Sequence, residues 1–192
     1  MPLSRNQTNM KKYSPKLLIV VICLFGVIGH AQQNQDAIRL HPENTIFEST
    51  SSSARHTKLL SAINAVDLAA ILNGEGPFTV FAPSDIAFQK IPKDISLSLM
   101  NPDNKKQLKD ILMQHIVAGN LTASKILKEM CRGNGKASFT TIKGDVLTAT
   151  MDGLDILLQD SLGGSARITV ADAKKRNGVI HVIDSVMLPS KG

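Results

Sequence analysis

The chain has 192 residues with 43% hydrophobic, 20% charged and 4% aromatic content, the composition of one globular domain rather than a disordered chain. Two cysteines, Cys23 and Cys131, exclude a disulfide framework or a four-thiolate zinc site, and no apolar run reaches the roughly 18 residues of a confident membrane span. The net charge of +6 is concentrated at the start: setting aside Arg5, Lys11, Lys12 and Lys16 leaves 18 basic against 16 acidic residues, without a basic stripe, so no nucleic-acid partner is expected.

Lys11, Lys12 and Lys16 precede an apolar run over 17–28, and Gly29-His30-Ala31 closes it with small residues at its first and third positions. That pattern predicts a signal peptide over 1–31, cut before Gln32, and hence a secreted or periplasmic protein. The alternative is a retained N-terminal anchor, the only route to a membrane expected here. A cleaved chain keeps Cys131 alone. Beside Met130 at a helix end it reads as a small buried hydrophobe, with a reactive or dimer-forming thiol as the alternative. Residues 32–43 are polar and aperiodic, as a linker is.

From residue 44 the chain is continuously patterned. Residues 46–53 and 56–66 read as helices, the second with Leu59, Leu60, Ile63 and Val66 at helical spacing. A further turn over 68–72 stops at Asn73-Gly74-Glu75-Gly76-Pro77. Residues 78–82 form a β run ended by Pro83, which has no N–H for a ladder. Ser84 stands as an N-cap with Asp85 in the first turn. Asn101-Pro102 repeats the device ahead of a helix that sets Leu108, Ile111, Leu112 and His115 on one face. A short strand over 115–118, a Gly119-Asn120 turn and a helix over 123–131 follow. Beyond Gly133, β runs at 138–142, 145–151, 155–159, 167–172 and 178–188 are divided by Gly-Asp, Asp-Gly and Gly-Gly turns. Helices first and antiparallel strands second predict an α+β class, not alternating βαβ units.

Two segments carry a resemblance. Thr79-Val-Phe-Ala-Pro-Ser-Asp-Ile-Ala-Phe88, with Thr79, Phe81, Pro83, Asp85 and Phe88, resembles the first signature of the fasciclin (FAS1) domain family. Asn177-Gly-Val-Ile-His-Val-Ile-Asp-Ser-Val-Met-Leu-Pro189, with Asn177, Gly178, His181 and Asp184, resembles the second, and His115 falls where that family has a tyrosine–histidine segment. The resemblance covers 44–189, leaves a tail at 190–192, and is to a single-domain secreted bacterial member. It implies a FAS1-like β-wedge or sandwich of short, mostly antiparallel strands with several helices packed across it. It further implies adhesion through a cell-surface or matrix protein or glycan and carries no implication of catalysis, and the residues themselves offer no pattern for a cofactor or metal.

The family's tyrosine is Gln114 here. Animal members carry an Asp-Ile pair tied to integrin binding, and the corresponding positions are Asp172-Ala173. Asp172, Asn120 and Gln114 are therefore the partner-binding candidates; Asp172 has the alternative role of capping the turn toward Asn177-Gly178. Asn120-Leu-Thr122 also fits a glycosylation acceptor in a eukaryotic secretory pathway.

Other chemistry finds little footing. Arg132-Gly-Asn-Gly-Lys136 lacks the spacing and hydroxyl of a phosphate loop, and no G-x-S-x-G or H-E-x-x-H occurs. Ser84, Asp85 and His115 can be drawn as a hydrolase triad, but nothing in the sequence brings them together. His115 and His181 are expected to be hydrogen-bonded structural imidazoles. Asp152-Gly-Leu-Asp155 lacks the alternating oxygens of a calcium loop and reads as a hairpin turn. Val80 and Phe88 are expected in the core, and the last β run, apolar on both faces, reads as a central strand. The only tyrosine, Tyr13, lies in the leader and there is no tryptophan, so weak, avidity-dependent adhesion is expected. A soluble periplasmic or extracellular carbohydrate- or small-ligand-binding protein is the alternative.

Overall fold

The computed structural model describes residues 43–188. The expected leader, the linker up to residue 42 and the tail at 190–192 lie outside the described residues. Helix α1 (Ile46–Ser51) opens with a reciprocal cap: Thr45 Oγ1 accepts from Glu48 N and Glu48 Oε2 accepts from Thr45 N. Helix α2 (Thr57–Ala65) buries Leu59 and Ile63, and α3 (Ala69–Asn73) buries Leu72. Strand β1 (Phe78–Pro83) runs into α4 (Asp85–Gln89), where Ser84 Oγ accepts from Ala87 N at 3.2 Å.

Helix α5 (Lys93–Met100) follows, then a 3-10 turn (Pro102–Asn104) capped by Asn101, and α6 (Lys105–Gln114). Strand β2 (Ile116–Ala118) and α7 (Ala123–Arg132) lead into β3 (Lys136–Thr140), β4 (Val146–Asp152), β5 (Asp155–Asp160), β6 (Ser165–Lys175) and β7 (Gly178–Ile183).

The strands lie in the order β2-β1-β7-β6-β5-β4-β3. Every pairing is antiparallel except β1 with β7, which run parallel from Phe78↔Gly178 to Pro83↔Ile183. The two ends of this order approach each other: Val117 bridges Thr141, and Ile142 N donates to Ile116 O at 2.8 Å. The sheet therefore curls toward closure, which limits its exposed edges.

Alternation along β1 and β7 divides the apolar residues into two cores. Phe81 and Ile183 face one, with Ile126, Met130, Leu147, Leu158 and Met187. Val80, Ala82 and Ile180 face the other, under Ile46, Leu59, Ile63, Leu72 and Leu112 of the helices. These two strands are covered on both sides, the condition under which a parallel pair is normally found.

The class and wedge of strands under helices are those expected, with several local differences. β1 extends through Pro83, because its register with Ile183 needs no N–H from the ring side. The last strand stops at Ile183: beyond it Asp184 Oδ1 accepts from Arg167 N and the chain leaves the sheet. β6 is much longer than expected and carries register shifts between Ile168 and Val170 and between Val170 and Ala173. Helix α5 was not foreseen; its Ile95, Leu97 and Leu99 alternate as a strand's residues do, and only Leu99 is buried. Cys131 is exposed, not buried. Ile126 and Met130 set the inner face of α7, and the next residue is carried about 100° away from it.

Candidate interaction surface

The two signature segments meet around the chain between β2 and α7. Thr79, fully buried, donates through Oγ1 to Gly119 O at 2.6 Å and accepts from Leu121 N at 2.9 Å. His181 Nε2 donates to Leu121 O at 2.7 Å, and its Nδ1 accepts from Asp172 N at 3.3 Å. Asp172 Oδ1 accepts from Ala123 N at 2.8 Å, at the first turn of α7, while Thr122 Oγ1 accepts from Lys125 N. One continuous polar chain thus fixes residues 119–123 against β1, β7 and the bulged part of β6.

Asp172 does not cap the Asn177-Gly178 turn. The register shift in β6 puts it in a left-handed conformation, φ 61°, which an aspartate tolerates and which aims its carboxylate at α7. Asn120 and Asp172 are both exposed; Asp172 is part of this chain of bonds, and Lys125 Nζ donates to Asn120 O. Gln114 is a correction: it is 1% exposed, and its Nε2 donates to Asp160 Oδ2. Asp160 Oδ1 also accepts from Leu162 N and Gly164 N. An amide fits here because a buried carboxylate needs donors, so Gln114 faces the interior rather than a partner.

His115 is the second interior imidazole. It caps α6 instead of extending its apolar face or starting β2. Nδ1 donates to Ile111 O at 2.7 Å and Nε2 accepts from Met187 N at 3.1 Å. His181 is held in the opposite tautomer, its ring stacked on Phe81 with centroids 5.5 Å apart. In both, the remaining ring nitrogen faces a backbone N–H, so a second proton has no acceptor. Burial is the main cause pushing both imidazoles below the usual histidine value, and their carbonyl partners oppose it only in part.

The residues of the drawn triad are engaged separately. Ser84 caps α4, His115 is bonded as above, and Asp85 accepts from Thr57 N, Thr57 Oγ1 and Lys58 N to cap α2. Among the described residues, no group of three or more His, Cys, Asp or Glu side chains is placed to hold a metal, and no helix is long and apolar enough to cross a membrane.

The buried histidines give a pH dependence. The unfolded chain takes up protons near pH 6.5, while the folded chain, with depressed histidine values, does not. Stability therefore rises with pH wherever the unfolded state holds more protons, and falls as pH drops through about 6.5. Urea midpoints measured between about pH 7.5 and 5, above the main carboxylate range, are expected to decline steadily below 6.5. A flat midpoint over that interval contradicts the neutral, fully bonded assignment of His115 and His181.

The architecture is that of the FAS1 fold. The FAS1 domain pair of the insect cell adhesion molecule Fasciclin I superimposes with a TM-score of 0.66 at 20% identity, over 77% of this chain and 51% of that one. The Fasciclin domain model matches residues 54–189, and the chain belongs to that family. Protein sll1483 of Synechocystis sp. is 36% identical over 147 residues, which cover 76% of this chain and 73% of that protein. The cell surface glycolipoprotein MPB83 of Mycobacterium bovis is 30% identical over 81% of this chain and 61% of its own length. Transforming growth factor-beta-induced protein ig-h3 of Sus scrofa is 31% identical over 68% of this chain but only 17% of its own length.

Proposed function

We propose that this chain is an exported, non-catalytic adhesion module that contacts a cell-surface or matrix protein or glycan. The observation that carries the reading is the consumption of both signatures by internal bonds. Thr79, Asp85, His115 and His181 each hold backbone in place, and the bonds of Thr79 and His181 secure residues 119–121 and Asp172, of which Asn120 and Asp172 stay exposed. The names of two similar proteins, a cell surface glycolipoprotein and an insect cell adhesion molecule, agree with such a role. One domain offers one such surface, and aromatic anchors are scarce, so firm attachment depends on many copies acting together.

The test is attachment of beads carrying the protein at high density to cells of the source organism and to their envelope material. Saturable attachment, competed by excess soluble protein, is expected. Asp172→Asn, which preserves the left-handed residue and the bond to Ala123 N, is expected to reduce attachment several-fold with an unchanged melting temperature. Absence of attachment at any density overturns the adhesion reading, and full attachment by Asp172→Asn removes Asp172 from it.

A further inference from the structure

Helices α2, α5 and α6 and the turn after α4 enclose an open groove of about 570 Å³, a volume within the range of small-molecule sites. Its walls include Ala62, Ala65, Phe88, Ile91, Leu99 and Leu108. Met100 forms part of its lip, and with Leu97, each 73% exposed, it continues the apolar surface outward along α5.

Most of the wall is apolar, and two of its few polar groups are engaged within the protein. Ser61 Oγ donates to Thr57 O at 3.0 Å, and Asn101 Oδ1 accepts from Asp103 N at 3.0 Å. A sugar or a peptide backbone placed here sets most of its donors and acceptors against apolar side chains, which is costly. A single phenyl ring, Phe88, gives no paired stacking platform for a flat ligand. An unbranched alkyl chain asks only for apolar area, and the methionine at the lip adapts to its shape.

Charge sets the direction of such a chain. Lys58, on the first turn of α2, lines the groove and makes no ion pair among the described residues. Lys105, the other lining cation, is held at 2.8 Å by Asp67, beyond the far end of α2. The two are separated along α2 by its span from Lys58 to Ala65, roughly 10 Å at the helical rise. The acid at the Lys58 end, Asp85, already accepts from three donors of Thr57 and Lys58.

We propose that this groove binds the alkyl chain of a free fatty acid, with the carboxylate at Lys58 Nζ and the tail running toward Ala65. This site is separate from Asn120 and Asp172 and does not rest on the adhesion reading. The test is calorimetric titration of the whole chain with sodium decanoate, dodecanoate and tetradecanoate below their aggregation concentrations, with methyl dodecanoate as the uncharged control.

Saturable one-to-one binding is expected, tightening about fourfold for each added CH₂ until the groove is full. Lys58→Ala is expected to weaken dodecanoate about fivefold while leaving methyl dodecanoate unchanged, and Lys105→Ala to weaken it less. Ala65→Trp, checked for folding by circular dichroism, fills the groove and abolishes binding; Met100→Glu at the exposed lip serves if the tryptophan does not fold. The proposal is overturned by no saturable binding at any chain length, by full affinity in the folded blocking variant, or by a greater loss in Lys105→Ala than in Lys58→Ala. Binding to phosphatidylglycerol vesicles without binding of monomeric dodecanoate also overturns it.

Discussion

Gly178→Ala is expected to prevent folding altogether. At φ 152° the residue occupies backbone space that side-chain-bearing residues rarely enter, and an added Cβ meets Phe78 O at 1.9 Å and Phe78 C and N at 2.8 Å. All three are main-chain atoms, so no rotamer change relieves the overlap. β1 has no room to retreat, because Phe78 is paired on its other side with Ala118 of β2. The clash falls on the first pair of the parallel register, Phe78↔Gly178, and strand separation exposes both cores. Loss of a cooperative melting transition and of soluble protein is the expected readout. Gly153→Ala is the control: it stands at φ 63° with nothing within 4 Å of its added Cβ, and the expected cost is about 1 kcal/mol of left-handed strain. A Gly178→Ala protein melting within a few degrees of its parent disproves the close approach.

Asn177→Ala is expected to lower stability by about 4 kcal/mol, in the upper tail for single substitutions. The side chain is buried, and its two ends serve three backbone groups. Oδ1 accepts from Ile46 N at 2.9 Å, while Nδ2 donates to Leu72 O and Gly74 O, each at 2.8 Å. The amide therefore joins the start of α1 and the end of α3 to the β6–β7 turn, and alanine leaves all three groups without this partner, two of them in buried surroundings. Asn177→Asp separates this account from simple packing. It retains the bond to Ile46 N but sets a carboxylate oxygen against two carbonyls, so it is expected to be no better than alanine. Urea denaturation of the three proteins decides the matter; an aspartate variant close to the parent contradicts the assigned amide orientation.

What the sequence made legible was local chemistry. Ser84 before Asp85, Asn101 before Pro102 and the Asp152–Asp155 turn each carry their geometry in adjacent residues, and each is found where the pattern placed it. The signatures were legible as motifs, and the α+β class as a change of periodicity at Gly133. Pairings across the chain were not. Nothing near Phe78 announces a parallel neighbour at Gly178, and a register shift in β6 is invisible in a run whose exposed residues mix Thr169, Val170 and Ala171.

The candidate site suffered from the same limit. Asp172 was singled out, but its bond to Ala123 spans 49 positions of sequence. Gln114 read as a surface substitution because its partner, Asp160, lies in a different half of the chain. The groove is not legible in the sequence, nor is α5, whose alternating apolar residues bury only Leu99.

The parallel pairing of β1 with β7 also fixes an order of events. β1 emerges early in synthesis, yet its partner is made a hundred residues later, when Gly178 to Ile183 appear. Until then Val80 and Ala82 lack the neighbouring Ile180, and Phe81 lacks His181 and Ile183. Contacts this distant along the chain place folding at the slow end for a domain of this size. The N-terminal helices have no finished sheet to rest on, so a chain cut before Gly178 is expected to retain no smaller stable piece. The last strand to be made is the one that commits the whole molecule.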